Sequence, residues 1–186
     1  MDDEFRTGYG RDWLDFAITL VGRYDDRPVD LVEAPDRLRA WLSQWGLAPT
    51  GAVTAEDVAA AQALRESLHR LARASISGEP QTSRDVRVVD DSLSYDVPVR
   101  LRRVDDGLAA RRPRTTREAL ARLARQAVDD LTGPNAARLR TCGDEECSGI
   151  FVDPTGRRRW CSDERCGVKA RVRAHRARAR EAAQPG

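Results

Sequence analysis

Apolar residues recur at helical spacing in four stretches before residue 134, which predicts a mostly helical N-terminal domain. The first stretch covers residues 12–21 and places Trp13 and Phe16 on one face, as expected for a core helix. The second is expected to begin at Pro35, because proline suits the first position of a helix, and to stop at Gly46.

Threonine residues mark the predicted starts of the two longer helices. Thr54 can cap the third helix, with Asp57 in place of the usual Glu of a capping box, and the apolar stripe then continues towards Gly78. Thr115 and Glu118 form a second such box ahead of the fourth stripe. The third helix is therefore predicted to be the longest element of the N-terminal domain.

Gly133 and Pro134 end the fourth stripe and mark the predicted boundary between two domains. The sequence contains no internal repeat, low-complexity tract or long flexible linker, so the two domains are expected to pack closely. The predicted domains are residues 1–134 and residues 138–182.

Between the helices, apolar and polar residues alternate over residues 97–102, which predicts a half-buried strand. Pro98 would confine this strand to the edge of a sheet, because proline cannot donate to a strand ladder. Asp106 and Gly107 suit a hairpin turn into a second strand over residues 108–112. The N-terminal domain is thus predicted to contain one small β-hairpin.

All four cysteines lie in the second domain, as two close pairs separated by thirteen residues. Each pair can supply two thiolates from one tight turn, so the spacing is typical of a tetrahedral Zn²⁺ site. Four thiolates leave no position for an activated water, so the site is expected to be structural. Disulfides and incidental thiols are the alternatives, although a reducing compartment favours metal. The predicted ligands are Cys142, Cys147, Cys161 and Cys166.

Two short strands are predicted between the two cysteine pairs, over residues 149–152 and 157–160, with a turn at residues 153–156. A cysteine knuckle, a hairpin and a helix from Glu164 then follow in the order of a treble clef. The predicted fold class is α+β: a mostly helical N-terminal domain with a small β-hairpin, then a treble-clef-like four-cysteine zinc finger and a basic C-terminal helix.

Positive charge is concentrated in the cysteine domain. Residues 138–180 contain twelve Arg or Lys against six Asp or Glu, a net +6 that leaves −4 for the rest of a chain whose total is +2. Such segregation favours a polyanionic partner. Lys169 is the only lysine, so a compositional bias is the alternative explanation for the use of arginine. That bias does not explain why the basic residues cluster in this domain.

The final helix is predicted to have one packing face and one basic face. At about 100° per residue, Val168, Val172 and Ala179 form a stripe that can pack on the zinc hairpin. The basic residues beside it suit phosphates, although a solvated arginine-rich helix is the alternative. The residues predicted to contact nucleic acid are Arg157, Arg158, Arg159, Arg165, Lys169, Arg173, Arg176 and Arg180.

These residues resemble the CGNR zinc finger family, bacterial proteins in which the finger follows an N-terminal ABATE domain and which are regarded as stress-induced transcription regulators. In the finger, the resemblance rests on the four cysteines, the Phe151–Val152–Asp153 run, the Arg158–Arg159–Trp160 run, Gly167 and the basic tail. Upstream, Leu14–Asp15–Phe16 with Thr19, Leu38 with Trp41–Leu42, and Leu64–Arg65–Glu66 are similar to ABATE. The resemblance implies a zinc finger under the control of a sensing or association domain.

The chain departs from the family at its namesake motif. The Cys-Gly-Asn-Arg of the family stands here as Cys166, Gly167, Val168 and Lys169. The cysteine ligands are kept, so zinc binding is still expected. A valine cannot donate the hydrogen bonds of an amide, and lysine lacks the bidentate fork of arginine.

The leading hypothesis is a cytoplasmic, zinc-containing regulator that binds DNA. The acidic start lacks a signal-peptide pattern, no apolar run approaches a membrane span, and no common catalytic motif is found, so neither membrane insertion nor enzyme activity is expected. The alternatives are a protein-interaction module and a redox-sensitive zinc switch, neither of which contacts DNA. The N-terminal domain is the candidate site for a protein partner or small-molecule effector.

Overall fold

The computed structural model describes residues 5–182, except for the side chains of residue 177 and residues 179–182. Within that range it contains α-helices and three two-stranded antiparallel sheets, so the prediction of an α+β fold is confirmed. The elements are α1 (Asp12–Ala17), β1 (Leu20–Val21), β2 (Val29–Asp30), α2 (Pro35–Gln44), α3 (Ala55–Ser77), α4 (Ser83–Leu93), β3 (Leu101–Val104), β4 (Gly107–Ala110), α5 (Thr116–Thr132), β5 (Leu139–Thr141), β6 (Ile150–Val152) and α6 (Val168–Ala182).

Helix α3 is the central element of the fold, and its predicted caps are confirmed. Thr54 Oγ1 accepts the Asp57 N–H at 3.2 Å, and Asp57 Oδ2 accepts the Thr54 N–H at 3.0 Å. Gly78 ends the helix in the left-handed region with a φ of 73°. Leu64 and Leu68 are fully buried, and α3 packs on α1, α2, α4, α5 and the β5–β6 sheet.

The first helix is shorter than predicted. It ends at Ala17 instead of continuing to residue 21, and Leu20–Val21 pairs with Val29–Asp30 as β1 and β2. At this end the Thr19 hydroxyl donates to the Phe16 carbonyl oxygen at 2.8 Å, a bond that competes with helical hydrogen bonding. Apolar spacing across residues 12–21 did not reveal this competition.

The middle hairpin forms, but its position and burial differ from the prediction. Strands β3 and β4 pair with Leu101 opposite Ala110, and residues 97–100 precede the strand instead of beginning it. The prediction of a half-buried strand is wrong, because Leu101 and Leu108 are each 72 % exposed. Neither face of this two-stranded sheet lies on the core, so alternation of residue type does not indicate burial here.

Helix α4 was not predicted. Thr82 caps it by accepting the Asp85 N–H at 3.1 Å, and Val89 is its buried apolar residue. The Arg70 side chain of α3 donates from Nε to both carboxylate oxygens of Asp85 at 3.0 Å, which holds the start of α4 against α3. The threonine three residues before the aspartate was the signal in the sequence that could have located this helix.

Helix α5 begins and ends near the predicted residues. Thr115 Oγ1 accepts the Glu118 N–H at 3.1 Å, as predicted, but the Glu118 carboxylate accepts the N–H of Arg114 at 2.8 Å instead of that of Thr115. The second half of the predicted capping box is therefore shifted by one residue. Helix α5 ends before Gly133.

The two predicted domains share one hydrophobic core. Leu139, Ile150 and Phe151 of the β5–β6 sheet are buried in the same cluster as the side chains of α1, α2 and α3. The Val152 N–H donates to the Tyr9 carbonyl oxygen at 3.0 Å, which joins the N-terminal segment to β6. The expected close packing is observed, while the division at residue 134 stays a prediction. Among the described helices, none has the length and apolarity needed to cross a membrane.

Candidate metal centre

The structure brings the four predicted ligands together. Their sulfur atoms all lie within 4.8 Å of one another, with Cys147 Sγ 3.6 Å from Cys161 Sγ and Cys161 Sγ 3.5 Å from Cys166 Sγ. A tetrahedral ion with metal–sulfur bonds of about 2.3 Å places its ligand sulfurs about 3.8 Å apart. The four sulfurs therefore have the spacing that a single tetrahedral metal ion requires.

Backbone groups hold the first cysteine pair in position. Cys142 directly follows β5, and its N–H donates to the Gly149 carbonyl oxygen at 2.8 Å. The Gly149 N–H lies 3.4 Å from Cys147 Sγ, and the Cys161 N–H lies 3.5 Å from Cys142 Sγ. Such N–H groups favour ionised sulfur because they donate towards its negative charge.

The predicted hairpin around residues 153–156 does not form as a sheet. Strand β6 pairs with β5 instead, so the sheet flanks the first cysteine pair, and residues 157–160 form no strand. The N-terminal segment binds β6 through Tyr9, as described above. The Asp153 carboxylate accepts the N–H groups of Thr155 at 3.0 Å and Arg158 at 2.9 Å, which turns the chain away from β6.

Two glycines allow the close packing of the cluster. A Cβ atom at Gly149 would lie 3.1 Å from both Cys161 Sγ and Tyr9 Cε1. A Cβ atom at Gly167 would lie 2.7 Å from Asp163 Oδ1, shorter than ordinary van der Waals contact. A larger residue at Gly167 would therefore force the Asp163 side chain to move.

The thiols of the cluster oppose each other's ionisation unless a cation is bound. Burial first, and then the neighbouring Cys147 sulfur, raise the pKa of the Cys166 thiol to about 12. The hydrogen bond with Cys142 raises the pKa of Cys161 to about 12. Four thiolates so close together can all be ionised only around a positive charge. The donor set thus fits a metal ion.

Comparison with known protein families matches residues 10–134 to ABATE, described as "Putative stress-induced transcription regulator". This match covers more than half of the chain. The chain belongs to the ABATE family. Residues 138–179 match the CGNR zinc finger, so the predicted resemblance is confirmed. A search of curated proteins found no significant match. Residues 10–134 are hereafter the ABATE region and residues 138–179 the CGNR finger.

The three consecutive arginines of the CGNR finger differ in their surroundings. Arg158 lies over the Phe151 ring at 4.5 Å and donates to the Trp160 carbonyl oxygen at 2.9 Å and to Gly8 O at 3.2 Å. It therefore holds the N-terminal segment on the finger. Arg159 lies over the Trp160 ring at 4.7 Å but is exposed, as is Arg157.

Helix α6 projects from the finger, and its predicted packing on the zinc hairpin is wrong. Val168 and Val172 are 44 % and 42 % exposed, and the side chain of Ala179 lies outside the described residues. A π-helical turn over Asp163–Gly167 precedes α6, with the Gly167 N–H donating to Ser162 O at 3.1 Å. The exposure of Val168 and Val172 shows that this stripe is not buried on the sheet.

One arginine of α6 forms ion pairs with the segment between Cys142 and Cys147. Arg173 donates from one terminal nitrogen to Asp144 Oδ1 at 2.8 Å and from the other to Glu146 Oε2 at 2.6 Å. Asp144 is only 4 % exposed, so Arg173 supplies the charge partner of a buried carboxylate. These hydrogen bonds also raise the pKa of Arg173. The sequence placed Arg173 among the nucleic-acid contacts and missed this structural role.

The other predicted nucleic-acid residues differ in the exposure of their side chains. Arg165 is half-buried, Lys169 and Arg176 are exposed, and the side chain of Arg180 lies outside the described residues. Arg165 and Lys169 line a cleft of about 430 Å³ that reaches Cys147, Cys161 and Cys166 and is closed on the other side by residues of the ABATE region. Contact with nucleic acid stays a prediction for all eight residues.

Tyr9 is the residue beside the cysteines that sequence reasoning missed. It is 2 % exposed and lines the same cleft as Cys161. Burial, followed by the charge of the Cys161 sulfur, raises the pKa of its hydroxyl well above the ordinary value. A tyrosine 129 residues before the start of the finger gives no local signal for this contact.

Proposed function

We propose that this ABATE-family chain is a zinc-dependent transcription regulator whose CGNR finger presents α6 to DNA. The observation that carries this proposal is a basic helix projecting from a compact four-cysteine centre. A role as a regulator instead of an enzyme is part of the same proposal, as is a cytoplasmic location. The role of the ABATE region would be to sense a signal or mediate association.

Zn²⁺ is the metal that the donor set supports best. Thiolates are soft ligands that favour zinc and similar ions, and a closed tetrahedral set of four cysteines is a common structural zinc site. The four cysteines would hold the ion, which would supply structural stability and no reaction. Elemental analysis of the purified chain, with Cys161→Ser for comparison, tests this assignment.

The exposed cations of α6 support contact with the phosphate backbone. Lys169, Arg171, Arg176 and Arg178 are exposed and form no ion pair within the described part of the chain. Cations without protein partners are available to neutralise phosphates and release their counterions. Arg173, by contrast, fixes the direction of the helix through its two carboxylate partners.

Contacts that the ABATE region and the N-terminal segment before it make with the finger support a regulatory link. His69 of α3 lies 2.9 Å from the Ser148 carbonyl oxygen, next to the ligand Cys147. Tyr9 contributes both the backbone bond to β6 and a side chain in the cleft beside the cysteines. A movement of α3 or of the N-terminal segment would therefore change the position of the backbone beside Cys147.

Binding to duplex DNA at low salt tests the proposal. The metal-loaded chain is expected to bind, and Arg171→Gln with Arg176→Gln is expected to weaken binding at least about tenfold, because charge-assisted contacts are worth about 1.5–3 kcal/mol each. Arg84→Gln with Arg87→Gln on α4 is the matched control, since both arginines are exposed. Absence of binding at low salt would contradict the proposal.

A protein partner for α6 is the second candidate. Val168 and Val172 are exposed apolar residues on the same helix, and duplex backbone contacts would not use them. Val168→Ser with Val172→Ser would then abolish retention of a stoichiometric partner in nuclease-treated extract while leaving DNA affinity unchanged. The redox-switch alternative stays a prediction, with the half-buried Cys147 as the most accessible thiol.

A further inference from the structure

A second group of arginines lies in the ABATE region, away from the finger. They surround a cavity of about 310 Å³ at the base of the β3–β4 hairpin. The arginines lining this cavity are Arg100, Arg111, Arg112, Arg114 and Arg122. They are hereafter the arginine pocket.

Strand pairing and one side-chain contact assemble the pocket. The β3–β4 ladder pairs Leu101 with Ala110, and the next bond, from the Arg111 N–H to the Arg100 carbonyl oxygen at 2.7 Å, sets those two arginines opposite each other. Arg122 of α5 donates to the Arg111 carbonyl oxygen at 2.9 Å, and Arg112 donates to Ala48 O at 3.0 Å. Three hydrogen bonds to backbone carbonyl oxygens therefore hold these arginines in place.

The arginines of the pocket, of which all but the half-buried Arg122 are exposed, lack carboxylate partners. Arg65, Arg70 and Arg125 each form an ion pair with an aspartate. Within the described residues, no ion pair involves any of the five pocket arginines.

Two further features of the pocket indicate an anionic ligand. The lining contains a single carboxylate, that of Glu118, and one of its oxygens already accepts the Arg114 N–H. The Nε atom of Arg122 is buried and has no hydrogen-bond partner within the described residues. A buried donor without an acceptor is unfavourable, and so are like charges held around one cavity. An anion in the cavity would offset the repulsion between these arginines.

We propose that the arginine pocket binds a phosphate group. Guanidinium forks match the oxygen geometry of phosphate in bidentate pairs, and phosphate carries enough negative charge to offset several arginines. The phosphate belongs either to a phosphorylated small molecule, whose size suits the cavity, or to the backbone of nucleic acid. This inference does not depend on contact between α6 and DNA.

Titration calorimetry of the full-length, metal-loaded chain with inorganic phosphate and pyrophosphate tests the small-molecule source. At constant ionic strength, with chloride as reference anion, saturable binding at one site is expected. Arg100→Gln with Arg111→Gln is expected to weaken it at least about tenfold. Arg84→Gln with Arg87→Gln, the same charge change on exposed residues of α4, is expected to leave it unchanged.

The salt dependence of DNA affinity tests the second source with the same variants. Suppose that neither anion binds, but that the pocket variant lowers the magnitude of the slope of log DNA affinity against log salt by about 2 and the α4 control does not. The phosphate is then that of DNA. If the pocket variant matches wild type in both assays, the proposal is overturned. Thermal unfolding checks the fold of the variant, and Arg114→Gln replaces it if it does not fold.

Discussion

The ABATE region and the CGNR finger are stabilised by different means. In the ABATE region, Trp13, Phe16 and Trp41 are fully buried among helices, and the Phe16 and Trp41 rings lie 5.1 Å apart. In the finger, the segment after β6 contains no strand among its described residues and is positioned by the cysteines, Asp153 and Arg158. The ABATE region thus depends on apolar burial, whereas the segment of the finger after β6 depends on the metal centre and polar contacts.

Metal removal should give the largest separation between the two regions. Structural zinc contributes about 10–16 kcal/mol to folding in small zinc peptides, so chelation or Cys161→Ser should unfold residues 153–167 while α1 to α5 keep their helices. Hydrogen exchange resolved along the chain measures this, and reloaded protein is the control. Cooperative loss of the whole helical signal would show that the regions are not separable.

A cavity in α3 should affect both regions, because α3 packs on the ABATE helices and on the β5–β6 sheet. Leu68 is fully buried, so Leu68→Ala is expected to lower the free energy of unfolding by about 2–5 kcal/mol. Val86→Ala is the control, since Val86 is 43 % exposed. Urea unfolding of the metal-loaded chain measures the difference, and equal losses in the two variants would contradict the central role of α3.

His69 links the two regions in a pH-dependent way. Burial lowers its pKa to about 4, whereas an unfolded histidine titrates near about 6.5. The unfolded chain therefore binds the extra proton first, and the free energy of unfolding should fall by up to about 3 kcal/mol as the pH decreases from about 6.5 to about 4.

The difference between wild type and His69→Gln isolates this effect, because both proteins lose metal as the pH falls. Unfolding measured at several pH values should show a smaller decline for the glutamine variant. Parallel curves for the two proteins would mean that His69 does not stay neutral against Ser148.

Within α6, one arginine is structural and its neighbour is free. Arg173→Gln leaves the Asp144 carboxylate buried without its charged partner, so it should destabilise the finger. Arg176→Gln should leave stability unchanged and weaken DNA binding. Thermal unfolding and DNA affinity are measured on both variants. Arg173→Gln should mainly lower stability, and Arg176→Gln should mainly lower DNA affinity. Equal effects of the two variants in both assays would sink this assignment.

Features encoded by neighbouring residues could be predicted from the sequence. The Thr54 cap, the Gly78 helix end and the grouping of the cysteines follow from local hydrogen-bonding capacity and spacing. The bond from β6 to Tyr9 involves a residue distant in sequence, and the turn after β6 is set by the hydrogen bonds of Asp153. Neither effect is visible in the alternation of apolar residues.

The basic residues show the same limit. The concentration of charge predicted where cations lie, but charge alone did not separate Arg158 and Arg173, which have internal partners, from Lys169 and Arg176. It also hid the arginine pocket, because acidic residues elsewhere outweigh it in the total for the first domain. Which basic residues have internal partners depends on the tertiary structure and not on their positions in the sequence.

The salt dependence of DNA affinity tests the central claim most directly. If the exposed cations of α6 contact the backbone, about four phosphates are neutralised and the slope of log affinity against log salt should be about −3 to −4. Arg171→Gln with Arg176→Gln should reduce the magnitude of that slope by about 2, and the α4 control should not. A slope near zero, or an equal slope for wild type and the α6 variant, would contradict the account.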